Sequence, residues 1–529
     1  MKRRIIVVGA GGAGLVAAIS ARKPGTEVIV INKTGRGTGS CTAYAAGLFT
    51  LGYGKISPEL HASRTMEIGR YINDLKMVQT FSENAVKTMK ELQSWGVTLK
   101  LLKSGHASTR ASASNLFMAG YGMIEELYAI AKDLGIRFLE DTVVTELKIE
   151  DGKIKGVECV NWKTGNALGL GASAVILATG GAGQIYSRTD NPSRVTGDGY
   201  SLALRAGTHL KDMEFVQFYP LGWDEPNFTN WMVGLGIIDQ VPLVDENNRE
   251  FLLEAIHSWG LKNGLEGNYY ARDKTSICLA KHLKSGGKAL LHLEKFPPED
   301  WAKPPLLEML NFYPKDKKPW EYGPVNVSPI EHYMTGGIDI DPSCSTSIKG
   351  LFACGEVTGG IDGASRIGGN ALTNIVTFGM IAGKTASRSA TGEAQDFEPL
   401  NSMGKIKEWS EGNIPPSEIK KSIKNAVQKG LGPVRTSSSI KKTIDIIEDL
   451  YPQSSRTEVP DHLDLLSALE IQGLLDSAMS IAKSALARQE SRGVHYREDY
   501  PLERDEWQRN IQLRFNEGKF ETEIQPLLK

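Results

Sequence analysis

The sequence predicts an α/β protein in which parallel strands alternate with helices, because three of its segments join a short apolar strand to a glycine-rich turn. The strands are predicted at 5–8, within 174–181 and within 350–356, and each runs into glycine. Short apolar runs of this kind are typical of buried parallel strands whose backbone approaches a bound ligand. Together they predict a Rossmann-like domain.

The first of these turns carries glycines at the spacing GxGxxG. Gly9, Gly11 and Gly14 give the pattern, and Gly12 lies within it. The predicted strand before the turn and the predicted helix 15–22 after it allow a tight turn, a close approach to a pyrophosphate and packing of the helix on the sheet. We therefore expect a dinucleotide here.

A second strand, at 28–31, ends near the position where an acidic residue usually holds a ribose hydroxyl. This sequence has Asn32 followed by Lys33. An amide can hydrogen-bond a hydroxyl without the charge-assisted bond of a carboxylate, so this end of the chain leaves FAD and NAD open.

Distant segments favour FAD, because a nicotinamide enzyme needs none of them. Each supplies a strand end, a polar group or a helix N-terminus that can face a large flavin cofactor. The candidate contacts are Thr179, Gly180, Asp198, Glu356, Asn370, Ala371 and Leu372.

With these segments in order, the chain resembles the flavoprotein subunits of fumarate reductase and succinate dehydrogenase, with L-aspartate oxidase as a close relative. The resemblance runs from the first strand to the block 490–501, ESRGVHYREDYP. It implies an FAD-binding domain at 1–222 and 327–398, an inserted α+β capping domain at 223–326, a helical domain at 399–494 and a C-terminal extension at 495–529. The segment from Trp507 onwards is predicted to be extended and polar.

The resemblance also places a loop beside the flavin, with Ser40, Cys41, Thr42, Ala46 and Gly47 as contacts. Fumarate reductases often attach FAD through the histidine of a Ser-His-Thr sequence. Cys41 occupies that position, so attachment through histidine is excluded there. A thioether to Cys41 is chemically conceivable, but we expect non-covalent FAD.

Composition limits the partners. The formal net charge is -1, which provides no electrostatic reason to expect nucleic acid or an acidic membrane surface. The five cysteines are scattered without CxxC spacing, so we expect no iron–sulfur cluster, no metal site and a cytoplasmic protein with reduced thiols. No apolar run approaches the ~20 residues of a membrane span.

Three residues match the family's catalytic groups. The resemblance makes Arg272 the proton donor or acceptor at the substrate carbon, and an arginine needs a relay or a neighbouring anion to lose its proton. It makes His332 and Arg366 the anchors of one substrate carboxylate, through charge-assisted bonds. Thr335, in the same motif as His332, is a further candidate for substrate contact.

The second half of the family's dicarboxylate site differs. Where relatives have His-Pro-Thr, this chain has Tyr219-Pro220-Leu221, and a block of charged residues that follows in the family is missing. Tyr219 can donate one hydrogen bond but is neutral. We therefore expect a substrate with one carboxylate or acyl pole and an apolar remainder, since an unpaired buried carboxylate is strongly unfavourable.

Three interpretations follow. We favour a reductase or dehydrogenase of a carbon–carbon bond next to a carboxyl or acyl group. The alternatives are an amino-acid oxidase like L-aspartate oxidase and an electron-transfer subunit. A chain without its own cluster needs an electron source, and the family implies an iron–sulfur partner subunit, for which the C-terminal extension is one candidate surface.

Overall fold

A computed structural model describes residues 3–109, 119–303, 306–409 and 411–527. Up to the end of the first half of the predicted FAD-binding domain, the elements are β1 Arg3–Val8, α1 Gly12–Ala21, β2 Thr26–Ile31, α2 Cys41–Tyr44, β3 Leu48–Thr50, α3 Pro58–Ile68, α4 Leu75–Ser94, β4 Leu99–Leu102, β5 His106–Thr109, α5 Ala119–Asp133, β6 Arg137–Leu139, β7 Thr142–Glu150, β8 Lys153–Asn161, β9 Ala167–Gly171, β10 Ala174–Leu177, α6 Asp198–Arg205, β11 Leu210–Lys211 and β12 Val216–Trp223. The next elements are β13 Leu243–Val244, α7 Phe251–Ser258, α8 Gly264–Tyr270, α9 Arg272–Lys284, β14 Leu290–Leu291, α10 Leu306–Met309 and α11 Pro319–Tyr322. The remaining elements are β15 Val325–Met334, β16 Gly337–Ile338, β17 Leu351–Ala353, α12 Asn370–Ser389, α13 Leu400–Trp409, α14 Pro416–Gly430, α15 Ser437–Ser454, α16 His462–Ala487, β18 Arg509–Asn516 and β19 Lys519–Pro526.

The predicted parallel sheet is present. It has the strand order β17-β10-β1-β2-β6, and every pairing within it is parallel. Val8, the last residue of β1, lies opposite Ile31 on one side and Leu177 on the other. Because these carboxyl ends are in register, the turns that follow all three strands meet at one edge of the sheet.

Helices α1 and α12 pack on this sheet and on each other. Helix α1 begins at Gly12, three residues earlier than predicted, because the end of the glycine run forms its first turn. A Cβ at Gly383 of α12 would lie 2.2 Å from the Ala17 carbonyl oxygen of α1, so the two helix backbones are in close contact.

The inserted region has an apolar core of its own. Buried side chains from Tyr219 to Ile330 form this second core, and strands β12-β15-β14-β13 form an antiparallel sheet beside it. We call this region the cap. Strands β12 and β15 pair with each other and cross the predicted boundaries at 222 and 326, which stay predictions.

The C-terminal part begins with helices, as predicted. Ile440, Ile444 and Ile447 of α15 are buried, as are Leu475 and Met479 of α16. Helix α16 is by length and composition long and apolar enough to cross a membrane, but 89% of its apolar window is buried inside the protein.

The segment predicted to be extended and polar forms the hairpin β18–β19. Asn510, Ile511 and Leu513 of β18 are buried, and β18 pairs with β11. The extension therefore completes a sheet of the FAD-binding domain.

Candidate functional site

The glycine-rich turn opens a cleft at the carboxyl edge of the parallel sheet, which we call the glycine cleft. It holds about 920 Å³ of space. Its lining includes the predicted cofactor contacts Gly9, Gly11, Gly12, Asn32, Lys33, Ser40, Cys41, Thr42, Thr179, Gly180, Asp198 and Glu356. One cleft thus collects segments that are far apart in the sequence.

The glycines of the turn are required by the local backbone. Gly9 has φ +106°, and a Cβ there would lie 2.3 Å from the Ala178 carbonyl oxygen. A Cβ at Gly14 would lie 1.9 Å from the Gly9 carbonyl oxygen, so this glycine lets α1 pack against the strand end. The turn and the N-terminus of α1 then present backbone N–H groups to an anion, as a pyrophosphate requires.

Polar groups in the cleft fit the remainder of a dinucleotide. Within the described residues, the buried Thr179 hydroxyl has no hydrogen-bond partner, so it is available to a ligand. Lys33 pairs with Asp198 at 2.5 Å and with Glu470 at 3.2 Å, while the Asn32 amide donates to the Thr34 carbonyl. The residues present fit FAD.

A second cleft, of about 1200 Å³, adjoins the first and shares Cys41, Thr42, Glu356 and Ile375 with it. We call it the cationic cleft. Its lining also includes predicted site residues from the flavin loop, the cap and the N-terminus of α12: Ala46, Gly47, Tyr219, Arg272, His332, Arg366, Ala371 and Leu372.

Arg272 is the first residue of α9 and is buried. Its Nη2 donates to Asn268 Oδ1 at 3.2 Å, and its Cζ lies 5.1 Å from the centre of the Tyr219 ring. Burial, with the nearby charge of Arg366, lowers the pKa of Arg272 to about 10. This guanidinium therefore gives up a proton more readily than an ordinary arginine.

His332 lies on β15 with Nδ1 2.8 Å from Asp190 Oδ2. The Asp190 side chain is only 8% exposed, and its carboxylate accepts from the ring. Nε2 of His332 is therefore the nitrogen left for a ligand in the cleft.

Arg366 is buried with its Cζ 4.1 Å from the centre of the Tyr333 ring. Its Nε has no hydrogen-bond partner among the described residues. The nearby Asp362 is itself buried, and burial raises the pKa of that carboxyl to about 6. Arg366 thus has its Nε donor available for an anion.

The Tyr219 hydroxyl makes two hydrogen bonds within the protein. The hydroxyl donates to Asn268 Oδ1 at 2.9 Å and accepts from the Leu235 N–H at 2.9 Å. Its ring lies 5.7 Å from the His332 ring. Tyr219 therefore contributes its ring to the site, with the hydroxyl already bonded within the protein.

One acidic carboxyl, that of Glu356, and one thiol, that of Cys41, also lie in the site. Glu356 accepts from the Met334 N–H at 3.1 Å, and burial raises its pKa to about 7. Burial also raises the pKa of the Cys41 thiol well above its usual range. Cys41 donates to Asn191 Oδ1 at 3.2 Å and behaves as a neutral thiol rather than a nucleophile.

Three predicted residues lie outside both clefts. The Thr335 hydroxyl donates to the Phe215 carbonyl at 2.9 Å, and the Asn370 side chain contacts His61 at 3.0 Å. Gly14 faces the strand end, as described above. Asn370 lies at the N-terminus of α12, as predicted, but its side chain contacts His61 rather than either cleft.

Sequence reasoning missed Asp190 and Asn268. Asp190 belongs to a Thr-Asp-Asn loop without a recognisable motif. Asn268 lies four residues before Arg272, across the break between α8 and α9, and this spacing was the one available signal.

Comparison with known proteins agrees with this geometry. The family model described as "FAD binding domain" matches residues 4–372, and "Fumarate reductase flavoprotein C-term" matches residues 420–527. A fumarate reductase (CoM/CoB) subunit from Methanothermobacter marburgensis is 30% identical over 96% of this chain and 96% of its own length.

An L-aspartate oxidase of Saccharolobus solfataricus is 31% identical over 94% of this chain and 96% of its own length. A solved structure of Escherichia coli quinol fumarate reductase has a TM-score of 0.87 at 27% identity, covering 100% of this chain and 97% of that one. The chain therefore belongs to the flavoprotein family of fumarate reductase and succinate dehydrogenase, and it is an FAD-dependent oxidoreductase.

Proposed function

We propose that the protein reduces or forms a carbon–carbon double bond next to a single carboxylate or acyl group, on a substrate whose remainder is apolar. The observation that carries this proposal is the composition of the cationic cleft. Three cationic or protonatable side chains, Arg272, His332 and Arg366, share it with several apolar ones.

The charged side chains supply one pole. Nε of Arg366 has no hydrogen-bond partner in the part of the chain that the structure describes, and Nε2 of His332 is left for a ligand. A carboxylate taken out of water needs such charge-assisted bonds, and two donors that approach from different strands and loops also orient it.

The apolar side chains supply the other pole. Tyr44, Leu48, Trp231 and Met232 line the same cleft, and the rings of Tyr44 and Trp231 are 5.9 Å apart. Trp231 stacks on Phe312 at 4.8 Å, which holds its ring in place. A second carboxylate against this wall would lose its hydration without a partner, which argues against fumarate or aspartate as substrate.

Bound FAD supplies hydride transfer at its ring. The protein's part is the proton: in the reductive direction Arg272 donates one to the carbon beside the one that receives the hydride, so that two electrons and two hydrogens saturate the bond. The lowered pKa of Arg272 suits this role. His332 and Arg366 hold the carboxylate and so fix which carbon faces Arg272.

The test is anaerobic reoxidation of the dithionite-reduced holoenzyme, followed by flavin absorbance. We expect rapid reoxidation by trans-cinnamate or an enoyl thioester and slow reoxidation by fumarate, with loss of the reaction in Arg272→Gln. Rapid turnover of fumarate would refute the single-carboxylate site. Reoxidation by oxygen with hydrogen peroxide release, and by none of these acceptors, would favour an oxidase.

We also propose that an iron–sulfur partner subunit supplies the electrons. The five cysteines are free, and the part of the chain that the structure describes contains no group of three or more side chains placed to hold a metal ion. Purification of the tagged protein from its native host tests this: a co-purifying subunit with bound iron and sulfide is expected. A cytoplasmic location stays a prediction.

A further inference from the structure

The Thr-Asp-Asn loop at 189–191 contains Asp190, whose carboxylate contacts the His332 ring. We propose that Asp190 is a positioning residue: its carboxylate fixes the proton of His332 on Nδ1 and turns Nε2 into the cationic cleft. Its effect on substrate binding rests on the proposed function, whereas its effect on the histidine ring does not.

Both oxygens of Asp190 are engaged. Oδ2 accepts from His332 Nδ1 at 2.8 Å, and Oδ1 accepts from Asn191 Nδ2 at 3.1 Å. A carboxylate that is 8% exposed needs such donors, because a buried charge without partners is strongly unfavourable. Separating Asp190 from His332 would leave the buried carboxylate without this donor, and this penalty keeps the two side chains together.

The loop is also fastened to the strand that carries His332. Asn191 Nδ2 donates to the His332 carbonyl at 3.1 Å, and the Asp190 N–H donates to the Glu331 carbonyl at 3.1 Å. Thr189 Oγ1 donates to Glu331 Oε2 at 2.5 Å, so both backbone and side-chain hydrogen bonds join the two segments. This leaves the Asp190 carboxylate little freedom to move away from the ring.

The consequence for a ligand follows from the chemistry of imidazole. A neutral imidazole carries one proton, and without a partner that proton can occupy either nitrogen. With the Nδ1 proton held by Asp190, Nε2 faces the cleft, and the negative charge of Asp190 compensates a second proton when an anionic substrate binds. Without Asp190, the ring can rotate away from the cleft and no carboxylate compensates the charge of a doubly protonated ring, so the substrate carboxylate is held less firmly.

The first test needs no substrate. In the FAD-loaded holoenzyme labelled with ¹⁵N-histidine, the His332 signals are identified by their loss in His332→Gln. We expect them to report a proton on Nδ1 in the wild type and a shift of that proton towards Nε2 in Asp190→Ala. An unchanged His332 ring in Asp190→Ala would overturn the proposal.

The second test is a double-mutant cycle with trans-cinnamate as the acceptor. We expect Asp190→Ala to raise KM by about 10-fold to 100-fold with a smaller change in kcat, and to have less than about a 2-fold effect in the His332→Gln background. Additive effects of the two substitutions would contradict action through His332.

FAD content and the midpoint of thermal unfolding are measured on every variant. If Asp190→Ala does not fold, Asp190→Asn replaces it in the cycle, because the amide keeps an oxygen acceptor but removes the charge. If cinnamate is not an acceptor for the wild type, the proposed function fails, while the histidine signals still decide the role of Asp190.

Discussion

The guanidinium of Arg70 donates to the Asp273 carboxylate over 3.0 Å, and this ion pair links the FAD-binding domain to the helix of the cap that begins with Arg272. Arg70 has φ +56° and Tyr71 has φ +58°, a left-handed conformation that residues other than glycine rarely adopt. Arg492 donates to the Arg70 carbonyl at 3.3 Å, and the Gly69 carbonyl accepts from the Ala364 N–H at 2.9 Å. The pair thus joins the cap to a backbone segment that is itself held in an unfavourable conformation.

The first prediction concerns this link. Asp273→Asn removes the charge of a buried partner, and we expect kcat/KM to fall by about 10-fold because Arg272 is less firmly placed. Steady-state kinetics with the acceptor found above provide the measurement. Glu254→Gln, in an exposed cap pair with Arg249, is the matched control and is expected to leave kcat/KM unchanged. Equal effects of both substitutions would speak against the link.

The second prediction concerns the hydroxyl of Tyr219. Tyr219→Phe keeps the ring beside Arg272 but leaves the buried Leu235 N–H and Asn268 Oδ1 without this partner. We expect a loss of about 1–3 kcal/mol in the free energy of unfolding of the cap, measured by denaturant or thermal unfolding of the holoenzyme. Tyr270→Phe, at a side chain that is largely exposed, is the control. An unchanged stability would show that water replaces the hydroxyl.

The third prediction is a pH dependence. Burial raises the pKa of Glu356 from 4.5 to about 7, so the unfolded chain loses this proton at lower pH than the folded protein. The free energy of unfolding should therefore fall as pH rises through that interval, by at most about 3 kcal/mol from this group, and change no further above it. Glu356→Gln should remove this contribution.

The measurement is the midpoint of thermal unfolding with saturating FAD between about pH 4.5 and about pH 8. Burial raises the pKa values of Asp362 and Asp212 to about 6 and about 7, so these two groups still contribute a slope of the same sign in the variant, and the expected result is a shallower pH dependence. The prediction fails if Glu356→Gln has the same pH dependence as the wild type.

The fourth prediction concerns the glycine turn. Gly14→Ala places a methyl group 1.9 Å from the Gly9 carbonyl oxygen, so the helix or the turn must move. We expect FAD affinity to fall by at least about 10-fold, measured by the fluorescence of released flavin, with a stability loss of about 1–3 kcal/mol. Gly404→Ala, on a helix with open space around it, is the control and should not weaken FAD binding.

The fifth prediction tests the apolar pole. Trp231→Ala removes the ring that stacks on Phe312, and we expect kcat/KM for trans-cinnamate to fall by about 10-fold or more while that for acrylate changes by less than about 2-fold. The comparison of the two acceptors in one variant is the measurement. Trp259→Ala, at a cap tryptophan outside the lining of the cleft, serves as the control. An equal loss of kcat/KM for both acceptors would show that Trp231 supports the fold of the cap rather than the apolar pole of the substrate.

The parts of the fold that the sequence predicts well are those with strong local chemistry. The turn 9–14 is recognisable because GxGxxG spacing is needed where a strand, a helix and a pyrophosphate approach one another, and the structure places Gly9 and Gly14 in contacts that a Cβ would break. The helical stripe at Ile440, Ile444 and Ile447 is likewise buried, as its periodicity indicates.

The parts that were missed depend on contacts between distant segments. Asp190 becomes a candidate site residue only through its contact with His332, which is far away in the sequence. Thr335 lies in the right motif, but the nearby Phe215 carbonyl takes its hydroxyl. The hairpin β18–β19 appears polar in sequence because its outer strand is exposed, and its partner β11 has only two residues. Such features are set by tertiary packing, which local propensity does not contain.

The pairing of Leu210 with Leu513 has a consequence for how the chain is made. A ribosome delivers the polypeptide from its N-terminus, so β11 leaves the exit tunnel long before β18, and β1 long before β17. The cap, which lies between them in sequence, has a complete apolar core as soon as β15 has emerged. We therefore expect the inserted domain to fold first and the domain that encloses it in sequence to close last, so that FAD is loaded after translation of both halves.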